Sequence, residues 1–352
     1  MTSSSYKRTI LITGATDGIG KQTALDLAAH PDNLVIIHGR TEDKCIATKD
    51  WIGKENGNIS NIDFVAADFA VLKEVAMMAE EVERRFPELN VLLCNAGVLY
   101  PRRMETKDGM ESTFQVNYLA HYLLCNLLLP VLSHNRSNVI VVGSVLHTWP
   151  SLDWADVQAE KEYEKYLQYS RSKLMCHLMA FALHRRMNIA RQHVNVNIIE
   201  LGKEKEPNNN GRLRTTSALS SSMSTLSICR QAGNLAQLIE GSCLEKMSGK
   251  YLDPNGKQMR YDIGNLEVRT LSRIEEEGVS ASDTIKESAR MPPKIAPPVC
   301  SSLVFTNFDQ ISDGESSPKL MRSASETCRP TTQIIPRAAM RSVSVEKNNN
   351  NN

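Results

Sequence analysis

The chain has 352 residues, enough for one large domain or two ordinary ones, and its 41 Lys and Arg stand against 40 Asp and Glu for a net charge of +1. Because the two signs are interspersed, no field of one sign is available to attract nucleic acid or an anionic membrane, and no nucleic-acid partner is expected. The eight cysteines, at 45, 94, 125, 176, 229, 243, 300 and 328, form no Cys-x-x-Cys pair and no metal-ligand spacing with His, so no metal is expected and reduced thiols in an intracellular protein fit best.

Met1 to Arg8 is polar and leads straight into a β-branched run, leaving no room for the hydrophobic region of a signal peptide; a cytoplasmic location is expected. Thr9 to Thr13 reads as a strand, followed by a glycine turn and a helix from Gln22 to Ala29. The alternation continues with strand Asn33 to His38, helix Glu42 to Asn56, strand Ile62 to Ala66, helix Leu72 to Phe86 and strand Val91 to Asn95. Helix Met110 to Leu132, strand Asn138 to Val142, helix Tyr163 to Met187 and strand Val194 to Ile199 follow.

Short, nearly all-apolar strands are buried on both faces, and right-handed crossovers place their helices on alternate sides. The prediction is an α/β doubly wound parallel sheet, a Rossmann fold of three α/β/α layers in a single domain spanning 1–265. A helix near Ala232 to Ile239 and a last strand at Gly249 to Leu252 close it. The apolar stretch Val116 to Leu132, interrupted by Asn117, His121 and Asn126, is shorter than a comfortable membrane span, so a buried helix and no transmembrane segment are expected.

Residues 203–227, rich in Ser, Asn, Lys and Thr, read as a polar, mobile excursion rather than a core element. All three tryptophans and nine tyrosines precede residue 262, whereas seven of the fourteen prolines lie beyond residue 291. Residues 266–352 are accordingly expected to be a low-complexity, disordered tail, with one more helix over Leu266 to Glu277 left open. Arg322-Ser-Ala-Ser325 and Arg341-Ser-Val-Ser344 are spaced like basic-directed phosphorylation sites, or are chance pairs in a Ser-rich tail whose partners are unknown.

Between the first strand and its helix lies Thr13-Gly-Ala-Thr-Asp-Gly-Ile-Gly20. Gly14 suits a tight turn, Gly18 a close approach of backbone to a pyrophosphate, and Gly20 close helix packing, with the helix N-terminus facing the anion. The spacing Gly-x-x-x-Gly-x-Gly resembles the cofactor loop of the short-chain dehydrogenase/reductase family. Asp68 and Phe69 after the third strand, Asn95-Ala96-Gly97 ending the fourth, and Asn117 in the next helix then follow in that family's order. The resemblance covers roughly residues 7 to 255 and implies a dinucleotide held by Gly14, Thr16, Asp17, Gly18, Ile19, Gly20, Asp68, Phe69, Asn95, Ala96 and Gly97. In it, Asp68 would bond the adenine amino group.

Where an acidic residue would accept both ribose hydroxyls, the second strand ends in His38-Gly-Arg40. A guanidinium suits a 2′-phosphate, so NADP(H) is favoured and NAD(H) stays open, as does Arg40 being merely a solvated surface residue. Lys21 could add charge nearby.

Tyr169-Ser-Arg-Ser-Lys173 places a phenol and an ammonium on one helical face, and a neighbouring cation favours the phenolate. With Ser144, which ends Val141-Val-Gly-Ser144, and Asn117, the resemblance implies the family's catalytic set Asn117, Ser144, Tyr169 and Lys173. There Tyr169 would protonate a carbonyl oxygen, Ser144 would donate to the same oxygen, Lys173 would lower the tyrosine pKa and bind the nicotinamide ribose, and Asn117 would hold a water linking Lys173 to solvent.

The long insertion Leu146 to Gln168, with Trp149, Asp153 and Trp154, resembles the branch containing the retinol dehydrogenases and WW-domain-containing oxidoreductase. So do Gly18-Ile-Gly-Lys21 and Ser248-Gly-Lys-Tyr251. That branch implies a small-molecule carbonyl or alcohol substrate, retinoid- or steroid-like, although the aromatic pair would equally serve packing.

One element departs from the family. Its Pro-Gly followed by Thr is here Glu200-Leu-Gly202-Lys-Glu-Lys-Glu, with no Thr before Thr215, so the segment that normally closes over substrate is charged. Two functions follow: a nicotinamide-dependent oxidoreductase, or a nucleotide-binding but weakly active relative acting as an interaction protein. A homodimer through helices 116–132 and 169–187 is possible by the same resemblance.

Overall fold

The computed structural model describes residues 6–58, 60–201, 204–207, 213–216 and 225–259. The tail over 266–352, with its two Arg-Ser motifs and the open helix at 266–277, lies outside the described residues, as does the end of the domain at 260–265.

Alternation of strand and helix is as the sequence predicts. In chain order the elements are β1 (Arg8–Ile12), α1 (Gly18–Ala28), β2 (Asn33–Gly39), α2 (Glu42–Asn56), β3 (Ile62–Ala66), α3 (Leu72–Arg85) and β4 (Val91–Cys94). Then come α4 (Ser112–Phe114), a π-helical turn (Gln115–Leu119), α5 (Ala120–His134), β5 (Asn138–Val142), α6 (Lys165–Ile189) and β6 (Asn195–Ile199). A β7 (Glu204–Pro207) and β8 (Leu213–Thr216) hairpin, α7 (Thr225–Glu240) and β9 (Lys250–Leu252) complete the series.

Seven strands form one sheet in the order β3-β2-β1-β4-β5-β6-β9, all paired parallel. The order reverses direction between β1 and β4, which opens a crevice at the carboxyl ends of those strands. Successive side chains of a strand point to opposite faces, and the core divides accordingly. Leu11, Ile36, Val139 and Val141 pack among residues of α3, α5 and α6, while Ile10, Ile12, Val35, Ile37, Ile140 and Val142 pack among those of α1 and α7.

Four local expectations need correction. Helix α1 begins at Gly18, not Gln22, because the Asp17 carboxylate caps the Gly18 N–H, so the end of the glycine loop is already the first turn of the helix. The helix expected over Met110 to Leu132 is interrupted: five residues around Asn117 form a π-helical turn before α5 resumes to His134. Part of the excursion at 203–227 pairs as the β7–β8 antiparallel hairpin outside the main sheet, and α7 starts seven residues before Ala232, at Thr225. Ser227 and Gln231, polar in sequence, are buried on that helix, which is why its first turns read as loop.

Ser112–His134 is long and apolar enough to cross a membrane by length and composition, yet most of it is buried inside the fold.

Helix α6 is pinned to α4 by Glu111, which is fully buried. Its carboxylate accepts from the Thr113 N–H at 2.8 Å, the Phe114 N–H at 2.7 Å and Gln168 Nε2 at 2.9 Å, tying α4 to the residue before Tyr169. Glu111→Ala leaves these buried donors without an acceptor, and the expected loss is about 3 kcal/mol, read as a lower urea midpoint. A loss below about 1 kcal/mol would show that water replaces the carboxylate.

Candidate active site

One cavity of about 1000 Å³ occupies the crevice, large enough for a dinucleotide and a substrate together. Gly14, Thr16, Asp17, Gly18, Ile19, Gly20, Arg40, Asp68, Phe69, Asn95, Ala96 and Gly97 all line it, as do Ser144, Tyr169 and Lys173. Asn117 alone of the predicted site residues does not.

The glycine loop is shaped for a close-lying ligand. Gly14 has φ +65°, and a Cβ there would stand 2.8 Å from Ala96 Cα. A Cβ on Gly20 would overlap the Gly14 carbonyl oxygen and come within 2.5 Å of Asn95 Nδ2. A Cβ on Gly18, by contrast, would meet nothing within 4 Å, so the first N–H groups of α1 open onto the cavity where an anion is favoured. These features fit a nicotinamide dinucleotide.

Beneath the loop lies a network that sequence reasoning missed. The Gly14 N–H donates to His38 Nδ1 at 3.1 Å, so that nitrogen is unprotonated and Nε2–H donates to the Ala67 carbonyl at 3.0 Å. His121 is the mirror case: Nδ1–H donates to the Asn117 carbonyl at 2.8 Å, and Nε2 accepts from Thr13 Oγ1 at 2.9 Å. Thr13 Oγ1 in turn accepts from the Asn95 and Ala96 N–H groups, which holds the end of β4 against the loop. Phe69 stacks on His38 and meets His121 edge-on.

Burial lowers His38 to about 4 and His121 to about 3. The unfolded chain therefore takes up these protons first, and the stability that neutral His38 confers is complete above about pH 6.5 and lost as pH falls toward 4. The fall from 6.5 to about 4 corresponds to roughly 3 kcal/mol. Urea midpoints should drop steeply between those limits in the native chain and less steeply in His38→Asn; parallel slopes would contradict the assignment.

At the reacting end, Tyr169 and Lys173 are both buried on α6. Ser144 Oγ accepts from the Leu146 N–H at 3.3 Å and lines the cavity beside Tyr169. Lys173 Nζ donates to the Val142 carbonyl at 2.8 Å and lies 5.8 Å from the Tyr169 ring centroid. Burial pushes the phenol well above its ordinary value, with Cys176 and Glu200 adding to the rise and Ser144 opposing it. The lowering expected from the neighbouring ammonium does not prevail, because desolvation of a wholly enclosed phenolate is the larger effect. Burial also pulls Lys173 down.

The Asn117 side chain is engaged in structural bonds. Its Oδ1 accepts from the Val98 N–H at 2.7 Å, and its Nδ2 donates to the Val98 carbonyl and to Ser172 Oγ, each at 3.0 Å. Ser172 Oγ donates to the Tyr169 carbonyl at 2.7 Å, so Asn117 couples the strand-end loop to the tyrosine helix.

Arg40 is mostly exposed at the adenosine end, with Nε 4.0 Å from Asp68 Oδ1. Lys21 does not reach the cavity: its Nζ sits 4.0 Å above the Trp51 ring. Lys44, not singled out in the sequence, lines the cavity instead. Trp149 and Trp154, open between packing and function, are 71% and 57% exposed and do not serve packing.

The short chain dehydrogenase family profile matches residues 8–216. The chain belongs to that family. It is similar to human polyprenol dehydrogenase, 33% identical over 200 residues that cover 55% of this chain and 60% of that protein. Human retinol dehydrogenase 13 is 35% identical over 182 residues, covering 51% and 54%. The chain thus spans little more than half the length of these relatives.

Among solved structures, an uncharacterized protein from Mycobacterium paratuberculosis superposes with a TM-score of 0.57 at 25% identity, covering 74% of this chain and 90% of that one. A short chain dehydrogenase from Shigella flexneri complexed with NADP gives 0.53 at 20% identity, covering 70% and 97%, and shares the fold.

Proposed function

We propose that the protein is an NADP(H)-dependent oxidoreductase that interconverts a carbonyl and an alcohol on a lipophilic small molecule. The observation carrying this reading is the convergence of Ser144, Tyr169 and Lys173 on the same cavity as the glycine loop. The relatives' names, polyprenol dehydrogenase and retinol dehydrogenase, support the substrate class, as do Leu99, Met104, Leu146, Leu201 and Ile228 on the cavity wall.

When bound, NADPH supplies a hydride to the carbonyl carbon, so the oxygen must take its proton from the protein. Tyr169 gives that proton, and burial suits it to the task because the phenol stays protonated at neutral pH. Ser144, on the same cavity, donates to the same oxygen and fixes it within reach. Lys173, which donates to the Val142 carbonyl, would hold the nicotinamide ribose when the cofactor is bound and would stabilise the phenolate left behind. Asn117 keeps α6 and the loop after β4 in register.

Arg40 and Lys44, both on the cavity, would hold the 2′-phosphate. Arg40→Ala removes a charge-assisted bond of about 2 kcal/mol, so the Kd for NADPH rises roughly 10- to 100-fold while that for NADH stays within a few-fold. Equal losses for both would sink the preference for NADP(H). Titrating the purified chain with both cofactors, then assaying a panel of retinoid, steroid and polyprenyl carbonyls, tests the whole reading.

The alternative, a nucleotide-binding interaction protein, draws on Leu201-Gly202 in place of Pro-Gly. We favour the enzyme, in a domain over 1–265, located in the cytoplasm and dimeric through α5 and α6.

A further inference from the structure

We propose that Glu200 is a further positioning residue of the reacting centre, a buried carboxylate that keeps Lys173 charged and Tyr169 protonated and so biases the site toward carbonyl reduction at neutral pH. This inference rests on the reading of the cavity as a carbonyl–alcohol centre.

Glu200 is the first residue after β6, 7% exposed, and lines the same cavity as Tyr169 and Lys173. Two bonds to β9 fix it there. Its N–H donates to the Leu252 carbonyl at 2.8 Å, and Tyr251 Oη donates to its Oε2 at 2.9 Å. Tyr251 is itself held edge-on against His147 and His177, so the carboxylate sits on a rigid aromatic support.

The described groups facing this centre are Lys173, Cys176 and His177 from α6, Cys94 from β4, His121 and Cys125 from α5, His147 from the turn after β5, and Tyr251 from β9. Burial pushes Cys176 to about 11, the bond with the Cys125 thiol and burial raise Cys94 well above its ordinary value, and burial holds the imidazoles of His177, His147 and His121 below theirs, so these five groups stay neutral near pH 7. Among the described residues of the cluster, Lys173 is the one ammonium and Glu200 the one carboxylate. The carboxylate favours the ammonium and opposes a second negative charge on the phenol, an effect strengthened where water is excluded.

The chemistry then becomes asymmetric. Reduction starts with the phenol protonated and ends with the phenolate, as the proton passes to the carbonyl oxygen. Oxidation must start from the phenolate, which takes the hydroxyl proton while the hydride leaves for the oxidised cofactor. A group that opposes the phenolate therefore moves the onset of oxidation to higher pH and leaves reduction at pH 7 supplied with protons.

Glu200→Gln removes the charge and keeps an oxygen for Tyr251. Two readouts follow. The ionisation of Tyr169, taken as the 295 nm absorbance titration minus that of the same chain carrying Tyr169→Phe, should move down by about one pH unit, and the oxidation-to-reduction rate ratio at pH 7 should rise roughly tenfold. Coincident titrations and an unchanged ratio overturn the proposal.

If the Gln variant does not fold, Glu200→Ala with and without added formate decides: formate should raise the Tyr169 midpoint again, and no movement counts against Glu200. A wild-type chain that turns over no substrate refutes the enzymatic reading, whereas the absorbance titration still tests Glu200 by itself.

Discussion

Tyr169→Phe is expected to lower kcat for carbonyl reduction by about 10²- to 10⁴-fold, the range that a positioned proton donor contributes. The substitution deletes one oxygen from a ring that is 3% exposed, so the packing of α6 is retained. The Kd for NADPH should stay within a few-fold, because Lys173, the glycine loop and the loop after β4 are untouched. Ser144 keeps its bond to the Leu146 N–H, so the turn after β5 holds. A variant retaining a third of wild-type kcat would mean that the proton comes from elsewhere.

The second large effect is expected at Gly20. Adding a methyl there sets a carbon onto the Gly14 carbonyl oxygen and against Asn95 Nδ2, which itself donates to the Thr13 carbonyl at 2.9 Å. Neither neighbour is the end of a flexible chain, so α1 must back away from the loop. Overpacking of this kind costs about 3 kcal/mol, and the displaced helix terminus should weaken NADPH binding by at least tenfold. Gly18→Ala is the internal comparison: its φ of +53° costs roughly 1 kcal/mol, but the new methyl enters open space. Thermal melts and cofactor titrations should rank Gly20→Ala well below Gly18→Ala; the reverse order would contradict the loop geometry.

Both effects arise at residues that sequence spacing exposes. The glycine loop and the Tyr169–Lys173 pair are local patterns, and the strands are short apolar runs whose burial on both faces leaves no other use for them. Long-range polar contacts are invisible to that kind of reading. His38 looks like an ordinary strand residue until its ring is seen bridging Gly14 and Ala67, and Glu111 looks like a helix N-cap until Gln168 reaches it from 57 residues away.

The same limit explains the errors at helix ends and at the charged face. Ser227 and Gln231 are polar yet buried, so α7 begins earlier than its apolar stripe. Lys21 was placed near the cofactor by its position after the loop, but the helical turn carries it toward Trp51. Sequence alone also puts the Tyr169 phenol under the influence of a nearby cation, and only its enclosure shows that desolvation is the larger force.

In the proposed reaction NADPH gives a hydride to a carbonyl carbon in this cavity while Tyr169 passes the proton. The most direct measurement is to incubate the chain with NADPH carrying deuterium at C4 of the nicotinamide, each epimer in turn, and a panel of lipophilic aldehydes and ketones, reading the product by mass spectrometry. One epimer should yield an alcohol one mass unit heavier at the carbinol carbon, formed at least about a hundredfold more slowly by Tyr169→Phe. Tight NADPH binding with no deuterium delivered to any carbonyl would contradict it and leave nucleotide binding as the site's only role.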